Sequence, residues 1–80
     1  MDSEIIYRTR AGYIEKKGDS FSVYANAMTD YDGIKATDLR LIKTYAEHYI
    51  INHTTSKVTS VYWKFDPLAA AIEELSHYAR

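Results

Sequence analysis

The stretch TDLRLIKTYAEHYIINHT, residues 37–54, decides how this chain folds. Thr37 is a good N-cap, and Asp38 suits a first turn, where the helix dipole favours an acid. Leu39, Ile42, Ala46, Tyr49 and Ile50 recur at three- and four-residue spacing and form one apolar stripe. Leu41 and Tyr45 widen the stripe to about half the circumference at ~100° per residue. Ile51 falls on the polar side. The spacing predicts a helix that fades at Asn52-His53-Thr54.

Upstream, the chain reads as strands. Glu4–Arg10 is rich in Ile, Tyr and Thr, and Arg10-Ala11-Gly12 breaks it as a turn. Tyr13–Lys17 resumes, and Lys17-Gly18-Asp19-Ser20 has turn chemistry. Phe21–Met28 alternates, with Phe21, Val23, Ala25 and Ala27 on one face. Together these form an antiparallel meander. TDYDG, residues 29–33, is a loop, and Ile34–Ala36 reads as a brief edge strand after it. Downstream, Val58–Phe65 is the next strand. Asp66-Pro67 then starts a helix sharply, with Asp as N-cap and Pro at the first helical position. Leu68, Ala71, Ile72, Leu75 and Ala79 line one face of it, while Glu73, Glu74, His77 and Arg80 point away.

The expected order is therefore β-β-β-(β)-α-β-α in a single domain over residues 1–80. That order belongs to the α+β class: an antiparallel sheet of three to five strands with two helices packed on one face. Such a sheet leaves its other face free for contacts.

Within SVYWKF, residues 60–65, strand alternation groups Val61, Trp63 and Phe65 on one side and Ser60, Tyr62 and Lys64 on the other. The larger apolar set belongs in the core, so Trp63 and Phe65 are expected inside, with Tyr62 and Lys64 facing out. Eight of the aromatic residues are tyrosines. A core that only needs volume uses Phe or Leu, whose burial strands no hydroxyl. Tyrosine instead suits half-wet contact surfaces.

Composition narrows the function. The net charge is −1, with acidic and basic residues mixed along the whole chain. That is neither the acid excess of a DNA mimic nor the strongly basic balance of a dedicated nucleic-acid binder. Without cysteine there is no disulfide framework, thiolate site or cysteine nucleophile. The opening MDSEII lacks the basic and apolar runs of a secretory signal, and no stretch approaches a membrane span, so a cytoplasmic location without membrane partners is expected. Asp30 and Asp32 begin like a calcium loop, but Gly33 follows too soon and the distal Glu is missing. His48 and His53 are five apart and do not form an i, i+4 metal pair on a helix. Gly12, Gly18 and Gly33 read as turns, with no glycine-rich phosphate loop among them. No catalytic constellation, metal site or cofactor is therefore expected.

These exclusions favour a small, non-enzymatic protein-binding module. It would act sterically as a regulator or inhibitor of a larger partner, a class frequent among proteins encoded by phages and mobile elements. The expected contact residues are Tyr7, Tyr24, Tyr31 and Tyr62, with Arg8 and Arg10 as accessories. An alternative places nucleic acid on a basic hairpin formed by Arg8, Arg10, Lys16 and Lys17, with Lys64 nearby. In element order alone, over about half the chain and without a motif residue, the meander followed by a helix resembles the three-stranded DNA-binding modules of phage integrases. A further alternative is a homo-oligomeric structural protein, a homodimer in the simplest case, joined through the Leu41/Tyr45 flank or an open sheet edge.

Overall fold

A computed structural model describes residues 3–25 and 39–78. Six strands form one antiparallel sheet in which each strand pairs with its neighbours in sequence. They are β1 (Ser3–Arg8), β2 (Gly12–Lys17), β3 (Ser20–Ala25), β4 (Arg40–Tyr45), β5 (Tyr49–Asn52) and β6 (Lys57–Ser60). One helix, α1 (Pro67–Ser76), follows and packs across β2, β3 and β4.

The first three strands form the meander that the Ile, Tyr and Val content predicts. Thr9 and Gly12 close the β1–β2 turn through paired backbone hydrogen bonds of 2.8 and 3.3 Å. Lys17 pairs with Ser20 across Gly18-Asp19, and Gly18 adopts φ +62°. A two-residue hairpin loop needs that left-handed conformation, and glycine reaches it without a Cβ penalty.

The expected helix over 37–54 is overturned. Its described part is a hairpin of β4 and β5, with Tyr45 opposite Ile50 and Thr44 opposite Ile51. Ile42, Thr44, Tyr45, Tyr49, Ile50 and Ile51 are β-branched or aromatic, types that lose rotamer freedom in a helix and pack well on a pleated sheet. The turn consists of Glu47 and His48, closed by the Ala46 N–H donating to Tyr49 O at 2.9 Å. Ile42, Tyr45 and Ile50 mimic a helical stripe because both arms of the hairpin turn these residues to the same side. The described residues thus form a six-stranded antiparallel sheet with a single short helix, in place of the smaller sheet under two helices. Loop 29–33, the edge strand 34–36 and the Thr37 cap lie outside the described residues, as do Met28, Ala79 and Arg80.

Val58–Phe65 is also shorter than expected as a strand. The sheet ends at Ser60, and the Val61 N–H donates to His48 O at 2.9 Å. Residues 61–66 then leave the sheet to reach α1, so strand alternation no longer assigns their sides. Val61 is buried and Phe65 packs against the core, but Trp63 is 57% exposed. Trp63 is therefore not a core residue.

The α1 start is as the Asp66-Pro67 pair predicts. Asp66 Oδ1 accepts from the N–H groups of Leu68 and Ala69 at 3.0 and 3.3 Å. Ala71 and Leu75 press onto Ile14, Val23, Ala25 and Ile42 to form the core. Glu74 does not point away as expected. Its carboxylate accepts from Lys43 Nζ and the Tyr45 hydroxyl, both at 3.4 Å, and from the Tyr78 hydroxyl at 3.2 Å. Burial, reinforced by the Glu74 charge, raises the pKa of both phenols above the usual tyrosine value of 10.0.

Two strands carry an extra residue. Ile5 pairs with Glu15 and Tyr7 with Ile14, leaving Ile6 as a bulge in edge strand β1. Val23 pairs with Lys43 and Tyr24 with Leu41, leaving Ile42 as the extra residue of β4 and placing it in the core.

Gly12 sits where a Cβ would drive into the Tyr24 carbonyl oxygen of the paired strand. Gly12→Ala should therefore cost about 3 kcal/mol or more in urea unfolding, as backbone atoms cannot step aside. The raised phenols predict a pH dependence. Folding holds their protons more tightly than the unfolded chain does, so this contribution is complete below about pH 10 and is lost as pH rises toward the folded values. The unfolding free energy should fall above pH 10, by up to about 1.4 kcal/mol per pH unit for Tyr45 alone, and denaturant midpoints should fall with it. Tyr45→Phe should flatten that fall.

Candidate functional site

The chain must cross from edge strand β6 to α1, which lies over the middle of the sheet. It crosses beside the β4–β5 turn, held at two points. Val61 is the first, bonded to His48 and buried; Phe65, followed by the Asp66 cap, is the second. Between them Tyr62, Trp63 and Lys64 turn outward, and Tyr62 is 89% exposed. An open cleft of about 400 Å³ separates this segment from Glu47 and His48. Val58 on β6, at 61% exposed, and Tyr49 on β5 lie on the sheet face away from α1, since Tyr49 alternates with the core-facing Ile50 and Val58 pairs with Ile51.

Exposed Tyr and Trp side by side supply large, rigid contact area at low entropic cost. Lys57 and Lys64 bracket this segment, and no acidic residue lies between them. Across the cleft, Glu47 stands 4.0 Å from His48, both well exposed.

The sheet face away from α1 has a different character. Tyr13 and Tyr24 are cross-strand partners with rings stacked 4.9 Å apart at 19°. Partial burial and the Glu15 carboxylate, a hydrogen-bond partner, raise the Tyr24 pKa. Ser22 Oγ, Thr44 Oγ1 and His53 Nε2 form a hydrogen-bonded chain, with steps of 3.0 and 2.8 Å. A hydroxyl next to an imidazole is the raw material of nucleophilic catalysis. Here Thr44 is only 8% exposed, so that hydroxyl is shut off from a substrate. Among the described residues, no group of three or more metal-ligating side chains converges on one point.

The expected contact residues do not form one patch. Tyr7 lies on β1, Tyr24 is half-buried under its stack on β3, and Tyr62 follows β6. Five strand spacings separate the two edges, roughly 24 Å. Tyr31 lies outside the described residues. Arg8 and Arg10 sit at the β1–β2 turn, while Lys16 and Lys17 sit at the far end of β2, on opposite faces of it. About 17 Å of strand therefore divides the basic hairpin into two small groups. Lys64 lies with Trp63 on the crossing segment, and Lys17 and Lys64 flank the β4–β5 turn, each lining a cleft with Glu47 and His48.

Sequence reasoning misses Trp63 and Tyr49 as exposed residues. A signal for Trp63 exists in its neighbours. Asp66 is fixed as a helix cap, so the residues just before it must be a connection. No family model matches the chain, and no curated protein or solved structure matches it. Among the described residues, no helix is long and apolar enough to cross a membrane.

An indole placed this way should emit and quench as a hydrated one in the folded chain. Acrylamide quenching of Trp63 close to that of the urea-unfolded protein is the expected result, and strong protection would place the ring inside.

Proposed function

We propose that this chain is a non-enzymatic protein-binding module that regulates or inhibits a larger partner by occupying its surface. The observation that carries this reading is the outward pair Tyr62–Trp63, held between buried Val61 and half-buried Phe65. Contact surfaces are enriched in Tyr and Trp, and a few such residues dominate binding energy when a partner desolvates them. The rigid mount matters as well. A side chain whose backbone is already ordered loses less entropy on docking.

This reading moves the contact surface from the sheet-face tyrosines to the crossing segment. Tyr24 is occupied by Tyr13 and Glu15, so it offers less free area. Tyr62 keeps its expected role and gains Trp63 as its neighbour. Lys64 acts at the rim, setting association rate and register rather than affinity.

The test is a crosslinking comparison in the native cell using a photoreactive group at position 64. Wild-type protein should give discrete crosslinked products. Tyr62→Ala with Trp63→Ala should remove them, since each hot-spot truncation costs about 2 kcal/mol or more. The thermal midpoint should move by less than a few degrees, because neither side chain is in the core. Products that survive the double substitution would place the contact surface elsewhere.

A further inference from the structure

The free margin of β6 adjoins the Tyr62–Trp63 surface. The Val61 N–H points inward to His48 O. Backbone groups alternate along a strand, so those of Thr59 and Lys57 also point inward to β5. The N–H and C=O groups of Val58 and Ser60 then point outward, and no described strand pairs with them. All four β6 residues are exposed, and Val58 is the apolar one. The opposite margin differs: β1 is interrupted by the Ile6 bulge, and irregularity of that kind hinders further pairing.

We infer that β6 accepts an extended segment of the partner protein as a seventh strand, and that this segment is apolar in the middle and acidic at both ends. The inference rests on the protein-binding reading and names the partner's chemistry. Main-chain hydrogen bonds to Val58 and Ser60 supply the pairing, as in other strand-addition complexes. The acidic ends follow from charge. Lys57 opens β6, Lys64 lies on the crossing segment four residues beyond its end, and Asp66 is committed to capping α1. A second copy of this chain suits the margin poorly. Two β6 segments joined about a two-fold axis would gather four lysines along one seam, with no carboxylate from either segment.

Short synthetic peptides provide the test. The probe is the capped hexapeptide Glu-Val-Thr-Val-Thr-Glu, followed by amide resonances of the ¹⁵N-labelled protein. The Val58 and Ser60 amides should shift and exchange more slowly, while those of Tyr13 and Tyr24 stay in place. A Lys-ended counterpart should bind about five-fold more weakly at low salt, and the gap should close as salt rises. Two N-methylated isomers, blocked on alternate residues, separate backbone pairing from side-chain docking. The isomer blocked on the edge facing β6 should bind at least about ten-fold more weakly, and the other should bind nearly as well as the parent. Equal behaviour of the isomers, shifts confined to the Tyr13/Tyr24 face, or no binding overturns the inference. So does a concentration-dependent dimer that shifts Val58 and Ser60 without peptide. If the peptides fail while the Tyr62/Trp63 double substitution still removes the crosslinks, strand addition falls and the protein-binding reading stands.

Discussion

The docking of α1 on the centre of the sheet governs the rest of this molecule. Leu75 and Ala71 are fully buried against Ile14, Val23, Ala25 and Ile42, and this contact is the core of the described structure. A chain this short buries a modest fraction of its surface, so few alternative contacts share the burden. The Glu74 carboxylate then fixes the orientation of the helix by drawing Lys43, Tyr45 and Tyr78 onto one point. Each bond is long, and their joint effect is geometric more than energetic.

From that docking the exposed aromatic segment follows. The helix packs on β2, β3 and β4, while the strand leading to it is β6, at the margin. Six residues make the crossing. Val61 and Phe65 hold on to the protein at either end, and the side chains between them have no interior to enter. Tyr62 and Trp63 are therefore outside for a topological reason, whatever their hydrophobicity.

Much of this was legible in the sequence, and the failures have physical causes. The meander is visible because Glu4–Arg10 is rich in Ile, Tyr and Thr, because Phe21, Val23 and Ala25 alternate along the chain, and because Gly18 marks a turn. The helix start was visible because Asp66-Pro67 is locally decisive. The β4–β5 hairpin is hidden in the sequence because Glu47-His48 makes a tight turn without Gly, Pro or Asn, and because Ala46 and Leu39 complete a helical spacing. The β-branched and aromatic content of that stretch was the better guide. Alternation does not assign a side to Trp63 because β6 ends at Ser60. The sequence offers Tyr24 and Tyr62 as contact residues, but face assignments say nothing of the distance between two strands until the strand order is known.

The Ile6 bulge gives the two margins of the sheet unequal fates. A sheet that can be lengthened on both sides can grow into a filament, whereas one with a single receptive side is finished after one addition. If a partner strand pairs with β6, that addition leaves no second receptive margin of the same kind, so growth by strand addition stops at one partner per chain.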